Sequence, residues 1–408
     1  FCGYAAYRKL KEKNTDLILV EGGEIKTPKT NKEQDNYKIN TNNFLDTIKG
    51  KKIKSYLDPS FRDRKFTLGG SSECWAGWIK PFEESTYQNI YQGIEEQSWG
   101  GLRLDKYHDE ILNHLNSPIV NFSAVDISKK LDIKLPKLIN GLDYSLYSWA
   151  LEPLKLKDYW LKIINNNLYN TNNSQNIKIG YKLVDFEAEN GKIKDLIFKD
   201  KNNEYLVIEA NYYMLCMGGI ENARFVKKLI KISPGDLENK INIGNFQEHP
   251  HLYNIGGFDQ GINKLPTIMK KRIEISNAID KSYKPGKIKL SVSAWDGPGT
   301  PKVTFTISEN SKGIKSKIKN IIALMVKKDR NREKDYSITM RCEQTPNPNS
   351  KIQFNSKDTY LYWNVKDSDF EFYSTYLRRF TSFLILNNYA KDFMLSEPST
   401  KGQSIPST

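Results

Sequence analysis

The stretch Asp16-Leu17-Ile18-Leu19-Val20-Glu21-Gly22-Gly23 decides the fold that this sequence predicts. Its short, uninterrupted apolar run is typical of a parallel strand that is buried within a sheet. Residues 4–13, just upstream, read as a helix with Ala5, Ala6 and Leu10 on one side. A helix, a buried strand and an acid in this order form the second half of a dinucleotide-binding βαβ unit.

Gly3 and Glu21 take the places of the last glycine and the acid of that unit. Gly3 precedes Glu21 by 18 positions, close to the spacing of the G-x-G-x-x-G fingerprint. The helix N-terminus would face a pyrophosphate with its N–H groups and partial positive charge. Glu21 would accept hydrogen bonds from ribose hydroxyls and repel a 2′-phosphate, with Gly22 turning the chain beside it. The alternative for Glu21 is an ordinary surface acid at the end of a strand.

A second run, Leu68-Gly69-Gly70-Ser71-Ser72-Glu73-Cys74-Trp75-Ala76-Gly77, predicts a loop that lies along a large ligand. Its adjacent glycines let the backbone approach a ligand closely, because no Cβ intervenes. Its two serines supply short donors and acceptors, and Trp75 adds a flat apolar wall. These features suit a phosphate together with an aromatic ring system, whereas the alternative is an ordinary flexible loop.

Residues 176–217 predict a strand-rich region. We expect strands at residues 176–179, 182–186, 193–198, 205–210 and, fully buried, 212–217. Gly218-Gly219 then opens a helix that runs through Leu229. Two glycines between a strand and a helix again let the backbone pass close to a nucleotide.

Composition bounds the class of protein. The chain has 408 residues, enough for two or three domains, and a net charge of +14. Its lysines are spread along the chain among Asp and Glu, so we expect a solvated basic surface and no nucleic-acid partner. No apolar run approaches the roughly 18 residues of a membrane span, so a soluble protein without a membrane span is expected. The four cysteines are far apart, which predicts no disulfide framework and no zinc site and favours a reducing, cytoplasmic compartment.

The chain resembles the glucose–methanol–choline (GMC) family of FAD-dependent oxidoreductases. Five segments carry the resemblance in order, namely residues 3–23, 68–77, 214–224, 243–250 and 343–352. It implies an α/β fold, in which an FAD/NAD(P)-binding Rossmann-like domain, discontinuous in sequence, joins an α+β substrate domain with a mostly antiparallel sheet. The expected limits are residues 1–80 and 176–250 for the FAD domain, 81–175 for a helical and loop region near the active-site mouth, and 251–408 for the substrate domain.

The pattern of the second half agrees with an antiparallel sheet. Residues 287–293, 302–307, 336–340 and 350–354 alternate with period two, as half-buried strands do. Residues 367–394 predict a helix, with apolar side chains at helical spacing. We further expect no clear strand in residues 81–165, a mobile loop at 265–283 and a surface helix at 312–334.

The resemblance implies oxidation of a CH–OH group of a small alcohol or sugar, with hydride transfer to FAD. It implies the cofactor-binding residues Gly3, Glu21, Gly22, Gly69, Gly70, Ser71, Ser72, Cys74, Trp75, Val184 and Gly218. For Val184 the implied contact is from backbone to adenine. The electron acceptor is not specified.

The catalytic base that the resemblance implies is a histidine in a C-terminal segment. None of His108, His114, His249 and His251 lies in such a segment, so we expect that histidine beyond Thr408. Because the sequence also opens inside the first motif, we expect a fragment that is truncated at both ends and inactive alone.

Several residues allow two interpretations. His249 and His251 could contact substrate or metal, but a structural role at the domain junction is preferred, and no metal is predicted. Arg224 could bind phosphate or form an i,i+3 contact with Glu221. Cys74 lies where some relatives carry a histidine joined to the flavin, so a cysteinyl bond is the alternative to a packed thiol. We assign a flavin-side role to Trp75 only, since Trp78 fits a core residue.

Two other functions remain open from the sequence. A flavin monooxygenase or NAD(P)H-dependent oxidoreductase of related fold would need a second G-x-G-x-x-G unit, which the sequence lacks. A catalytically inactive protein that keeps the FAD fold and binds a partner is the other alternative.

Overall fold

The computed structural model describes residues 2–13, 16–25, 37–40, 67–73, 75–81, 107–169, 176–232, 244–247, 249–310, 334–354, 359–396 and 406–407. These residues form a mixed α/β structure with several antiparallel sheets. Across these ranges, no helix has the length and apolar character needed to cross a bilayer.

The described helices are α1 (Cys2–Glu12), α2 (His108–His114), α3 (Ala124–Lys130), α4 (Leu156–Tyr169), α5 (Gly219–Ile232), α6 (Thr267–Lys270) and α7 (Asp367–Leu386). A 3₁₀ turn covers Gly70–Glu73. The described strands are β1 (Leu19–Glu21), β2 (Tyr37–Asn40), β3 (Trp78–Ile79), β4 (Asp143–Ala150), β5 (Ile177–Ile179), β6 (Lys182–Glu189), β7 (Lys192–Lys199), β8 (Tyr205–Glu209), β9 (His251–Gln260), β10 (Ile273–Ile275), β11 (Gly286–Ala294), β12 (Val303–Glu309), β13 (Tyr336–Cys342), β14 (Lys351–Phe354), β15 (Thr359–Tyr362), β16 (Ala390–Ser396) and β17 (Pro406–Ser407).

The N-terminal helix and strand form as the sequence predicts. β1 follows α1 and pairs in parallel with β5, with Leu19 opposite Ile177 and Glu21 opposite Ile179. The strand is shorter than expected and half-buried, and Glu21 is its last residue. Tyr7 of α1 packs edge-on against Trp160 of α4, with ring centroids 5.0 Å apart.

An antiparallel three-stranded sheet, β6-β7-β8, follows β5. Asn190 and Gly191 both take positive φ, 53° and 72°, the geometry of a tight hairpin turn between β6 and β7. α5 packs on this sheet through Phe225, whose ring lies 5.2 Å from that of Phe186.

The predicted buried strand at residues 212–217 is wrong. These residues run without strand pairing, and Tyr212 and Met214 are 94% and 67% exposed. Tyr213 and Leu215, which alternate with them, are partly buried against the β6-β7-β8 sheet. The continuous apolar run therefore does not mark a buried strand here, because only every second side chain is partly buried.

A nine-stranded sheet dominates the rest of the described chain, in the order β17-β16-β9-β13-β12-β11-β4-β3, with β10 also paired to β11. β4 pairs with β11 along its whole length, from Asp143 opposite Ser293 to Ala150 opposite Gly286. The expectation of no strand within residues 81–165 is therefore wrong at β4. Six consecutive β4 residues are buried, so both faces are covered and no polar alternation marks the strand.

α7 covers one face of this nine-stranded sheet. Phe380 stacks on Phe305 of β12 with ring centroids 4.6 Å apart and planes 6° from parallel. The helix ends at Leu386, not at residue 394 as predicted, because Asn388 takes a left-handed φ of 54°. Residues 390–396 instead form β16, which pairs with β9.

The expectation of a mobile loop at residues 265–283 is also wrong. α6 buries Ile268 and Met269 in the main core, and β10 pairs with the first residues of β11. β12 pairs with β11 only from Val292 to Ala294. β10 therefore pairs with the first part of β11, and β12 pairs with its last part. The surface helix predicted at 312–334 falls, except for its last residue, outside the described residues.

The segment 343–352 is anchored to α7. Thr345 donates to the Asp369 carboxylate from its backbone N–H at 2.9 Å and from its hydroxyl at 2.8 Å. The side chain of Gln344 accepts a hydrogen bond from the Trp363 indole. The segment leads into β14, which is a strand as predicted but belongs to a separate sheet with β15 and β2.

The Phe305–Phe380 stack makes a direct test of this core. Phe380→Ala removes a fully buried ring and should lower the free energy of unfolding by about 3–5 kcal/mol. Leu386→Ala, on the same helix but 71% exposed, is the matched control and should change it little. Urea unfolding followed by circular dichroism measures both, and equal effects would contradict the packing described.

Candidate functional site

The predicted ligand-binding segments meet around the ends of α1 and β1. A Cβ added to Gly3, near the start of α1, would lie 3.4 Å from the Cys216 Cβ. A Cβ added to Gly22, just after β1, would lie 3.6 Å from the Lys182 side chain at the start of β6. The first segment therefore contacts the third at two separate points.

Glu21 joins the first segment to the second. Its carboxylate accepts a hydrogen bond from the Gly23 N–H at 2.7 Å. Burial raises the pKa of the Glu21 carboxyl, while hydrogen bonds from the backbone N–H groups of Gly23, Gly69 and Gly22 oppose that rise. The acid at the end of β1 is therefore bound by glycine backbone from both segments.

Gly23, next to Gly22, is a glycine of the junction that the predicted set of site residues does not include. A Cβ there would lie 2.5 Å from the Thr67 nitrogen and 2.6 Å from its Cα, closer than real Cβ contacts allow. Glu24 and Thr67 form a parallel bridge, and the Leu68 N–H donates to the Glu24 carbonyl at 3.0 Å. The backbones of the two segments thus pack directly against each other.

Gly69 and Gly70 both need left-handed backbone, with φ of +89° and +54°. They differ in what surrounds them. A Cβ on Gly69 would lie 2.7 Å from the Lys157 nitrogen, whereas a Cβ on Gly70 would meet no atom of the described residues within 4 Å. Gly69 therefore packs against α4, and Gly70 leaves open space beside the backbone.

Side chains of the 3₁₀ turn cap the N-terminus of α4. The Ser72 hydroxyl donates to the Gly69 carbonyl at 2.7 Å and accepts from the Leu156 N–H at 3.2 Å. The Glu73 carboxylate accepts from the Lys157 N–H at 3.2 Å. The predicted ligand residue Ser72 is thus 2% exposed and hydrogen-bonded within the protein.

Lys155 completes this connection from the other side. Its ammonium group donates to the carbonyls of Trp75 at 2.5 Å, Ser72 at 3.2 Å and Glu73 at 3.3 Å. The sequence reasoning missed both Lys155 and Glu73, because each acts on a segment more than 80 residues away in sequence.

Trp75 packs beside Ile79, Leu112 and Ala150, and its indole donates to the Trp78 carbonyl at 3.2 Å. The indole is therefore held in one orientation, half-buried at the end of the loop. Cys74 and the Ser71 side chain lie outside the described residues.

Gly218 and Val184 contribute from the third segment. Gly218 has φ +85°, is exposed, and would place a Cβ in open space. Val184 is the extra residue of a β-bulge, since Leu183 pairs with Phe198 and Asp185 with Ile197. Its carbonyl accepts a hydrogen bond from the Lys228 ammonium at 2.6 Å.

Arg224 forms the i,i+3 contact with Glu221 that the sequence offered as the alternative to phosphate binding. Its guanidinium lies 3.4 Å from the Glu221 carboxylate, one helical turn away.

His249 is exposed, whereas His251 is buried and hydrogen-bonds with the Tyr253 hydroxyl at 3.1 Å. No group of three or more His, Cys, Asp or Glu side chains that could hold a metal occurs among the residues described.

Comparisons with known proteins add little. No protein-family model matches the chain, and no curated protein matches it. The crystal structure of pyridoxine 4-oxidase from Mesorbium loti superposes with a TM-score of 0.43 and 14% sequence identity, over 92% of this chain and 75% of that one. The resemblance to the GMC family rests on the sequence motifs.

The two glycines after Glu21 give a matched test of the junction. Gly23→Ala forces the Thr67 backbone away and should lower the free energy of unfolding by about 1–3 kcal/mol, as overpacking does. Gly22→Ala makes only ordinary contacts of 3.6–3.7 Å and should be tolerated. Chemical denaturation of both variants decides the matter, and a tolerated Gly23→Ala would refute the close backbone packing.

His251 predicts a pH dependence of stability. Burial, with the charges of Arg341 and His249, lowers the pKa of His251 to about 3. Because the unfolded chain then binds more protons, stability present above the unfolded pKa near 6.5 is lost as pH falls toward 3. Between pH 7 and pH 5 this group should cost about 2 kcal/mol of unfolding free energy.

Unfolding curves at pH 7 and pH 5 measure this loss. His251→Gln should remove it, whereas His108→Gln, at a partly exposed histidine on the surface of α2, should keep it. The same loss in both variants would show that another group is responsible.

Proposed function

We propose that this protein is an FAD-dependent oxidoreductase that oxidises the CH–OH group of a small alcohol or sugar by hydride transfer to the flavin. The observation that carries the proposal is the junction at Glu21. There the acid that ends a parallel strand is bound by the backbone of Gly22 and Gly23 beside it and of Gly69 in the second motif, and a helix starts near Gly3. This is the arrangement that a dinucleotide-binding βαβ unit uses at the carboxyl edge of its sheet.

The residues at the junction fit such a cofactor sterically. Gly70 and Gly218 take left-handed backbone, and among the described residues no atom lies within 4 Å of where their side chains would stand. A ligand can therefore approach the backbone at both points. α5 begins directly after Gly218, and Gly3 at the start of α1 lies against Cys216, two residues before Gly218. Helix N-termini favour phosphate groups.

The proposal assigns roles to the chain's own residues. Glu21 would bind the ribose hydroxyls, Gly3, Gly69 and Gly70 would lie along the pyrophosphate, and the bulged backbone at Val184 would contact adenine. Trp75 would form an apolar wall at the flavin end. FAD, when bound, supplies the hydride acceptor, and the protein supplies position and electrostatics.

Glu21 can hold both the loop and a ligand. An ionised carboxylate offers about four lone-pair sites, more than the glycine N–H groups occupy. A negative charge here repels a 2′-phosphate, which favours FAD over a 2′-phosphorylated dinucleotide.

The test uses the full-length gene product, reconstituted with FAD. Glu21→Gln keeps the shape of the side chain and removes its charge, so the FAD Kd should rise roughly 10-fold or more, the cost of weakening charged hydrogen bonds. Glu24→Gln is the matched control, since Glu24 forms a partly exposed ion pair with Lys201 at 3.5 Å. Flavin absorbance after gel filtration measures binding, and anaerobic bleaching by added alcohols measures reduction.

The expected result is bound flavin that alcohols reduce, with weakened binding in Glu21→Gln alone. A protein that stays colourless after FAD is added would sink the proposal. Equal losses in the two glutamine variants would remove Glu21 from the cofactor site.

A further inference from the structure

The face of the nine-stranded sheet opposite α7 is unusual. Phe305 of β12 points to α7, so its neighbours Thr304 and Thr306 lie on the other face. We call this the polar face, and its residues are Trp78, Ser145, Tyr147, Trp149, Lys289, Ser291, Lys302, Thr304, Thr306 and Arg341. Most of them are less than 9% exposed, so this polar face is buried.

Side chains of distant strands converge on the polar face. Trp78 on β3 and Arg341 on β13 have three strands between them. Even so, the Arg341 guanidinium carbon lies 3.9 Å from the centroid of the Trp78 ring. The Tyr147 hydroxyl donates to Thr304 at 3.3 Å, across β11. Side chains from β3, β4, β12 and β13 therefore contact one another on this face.

Positive charge is concentrated there. The Arg341 guanidinium donates to Thr306 at 2.8 Å, and the Lys80 ammonium lies 5.1 Å from the centroid of the Tyr147 ring. Burial, together with the neighbouring charge of Lys80, lowers the pKa of Lys302 to about 7 against the attraction of Glu343. Two lysines and an arginine thus lie on one face, with Lys302 buried and Lys80 and Arg341 partly buried, where the reduced solvent screening raises their mutual repulsion.

A second cationic pair extends the same face. Arg272 lies over the Trp149 ring at 4.3 Å. Burial, together with the charges of Arg341 and Arg272, lowers the pKa of Lys289 to about 8. The Lys289 ammonium donates to the carbonyls of Ile307 at 2.6 Å and Lys270 at 3.2 Å. These two carbonyls hold the ammonium group at the point where β12 separates from β11.

Two buried polar atoms on the polar face point independently to a ligand. The Trp78 indole N–H and the Ser145 hydroxyl have no hydrogen-bond partner within the described part of the chain. Ser145 is only 1% exposed. A buried donor without an acceptor costs free energy, which a hydrogen-bonding ligand would recover.

We propose that the polar face binds the oxyanion of a small molecule, a carboxylate or a phosphate, between Lys80, Lys302 and Arg341. The substrate of the oxidoreductase is then an alcohol that carries such a group, a hydroxy acid or a phosphorylated sugar. The substrate assignment rests on the proposed function, whereas anion binding does not. Guanidinium and ammonium groups bind these oxyanions through charge-assisted hydrogen bonds, and an anion between the cations would offset their repulsion.

A purely structural role makes a different prediction. If Arg341 only stacks on Trp78 and bonds Thr306, its removal lowers stability and leaves anion affinity unchanged. Binding and stability therefore have to be measured on the same variants.

The binding test is calorimetric titration of the protein with inorganic phosphate and with gluconate, using glucose as the neutral counterpart. Saturable binding of the two anions and none of glucose is expected. Arg341→Met and Lys302→Met should each raise the anion Kd roughly 10-fold or more. Lys129→Met removes the same charge from an exposed position on α3 and should change nothing.

Arg341→Lys keeps the charge and should retain much of the binding that Arg341→Met loses, which separates lost recognition from lost folding. Absence of saturable anion binding in the unmodified protein overturns the proposal. So does an equal loss in Lys129→Met, because it would show attraction to the basic surface in general.

The substrate class is tested on the flavin-loaded protein. Gluconate and glucose 6-phosphate should bleach the flavin at lower concentration than glucose, and Arg341→Met should abolish that preference. Preference for glucose overturns the substrate assignment. A protein that binds phosphate as expected but no flavin overturns the proposed function and supports the anion site.

Discussion

The backbone contact between Gly23 and Thr67 is the constraint on which the candidate site depends. No side chain fits between them, so the turn after β1 and the strand-like entry to the glycine loop lie at backbone-to-backbone distance. That closeness brings Gly69 within reach of the Glu21 carboxylate. The loop then continues to Ser72 and Glu73, which cap α4, while Lys155 binds the carbonyls at the loop's end. These contacts hold the loop at both ends and leave the described surroundings of Gly70 open.

A buried carboxylate at such a junction is stable only because glycine surrounds it. Burial of Glu21 raises its pKa, and backbone N–H groups from three glycines favour the ionised form. Glycine serves here twice, since it bends the chain sharply and lets N–H groups approach the carboxylate. A larger residue at Gly23 or Gly69 would block the approach of one backbone to the other, as the distances to Thr67 and Lys157 show.

The elements that the sequence predicts well are those with local causes. α1, the strands β6 and β7 and the helix after Gly218 follow from apolar periodicity and glycine signals within a few positions. β4 and the segment from α6 to β10 were missed because their burial comes from distant partners. In the site, the positive φ of Gly69, Gly70 and Gly218 is consistent with the glycine signals. The roles of Lys155 and Glu73 had no local signal, because they act across two segments that only folding brings together.

The nine-stranded sheet shows why alternation alone cannot tell a solvated face from a functional one. In β12 the apolar residues Val303, Phe305 and Ile307 are buried. Thr304 and Thr306 between them are buried as well, at only 5% and 7% exposure. A sheet with water on one face would leave those threonines exposed. Burying hydroxyls and basic side chains on one face costs free energy unless each finds a partner. Thr306 accepts a hydrogen bond from Arg341, and the Ile307 carbonyl accepts one from Lys289. Neutral oxygens satisfy hydrogen bonds but do not cancel charge, and the anion proposed above would add an opposite charge on this face.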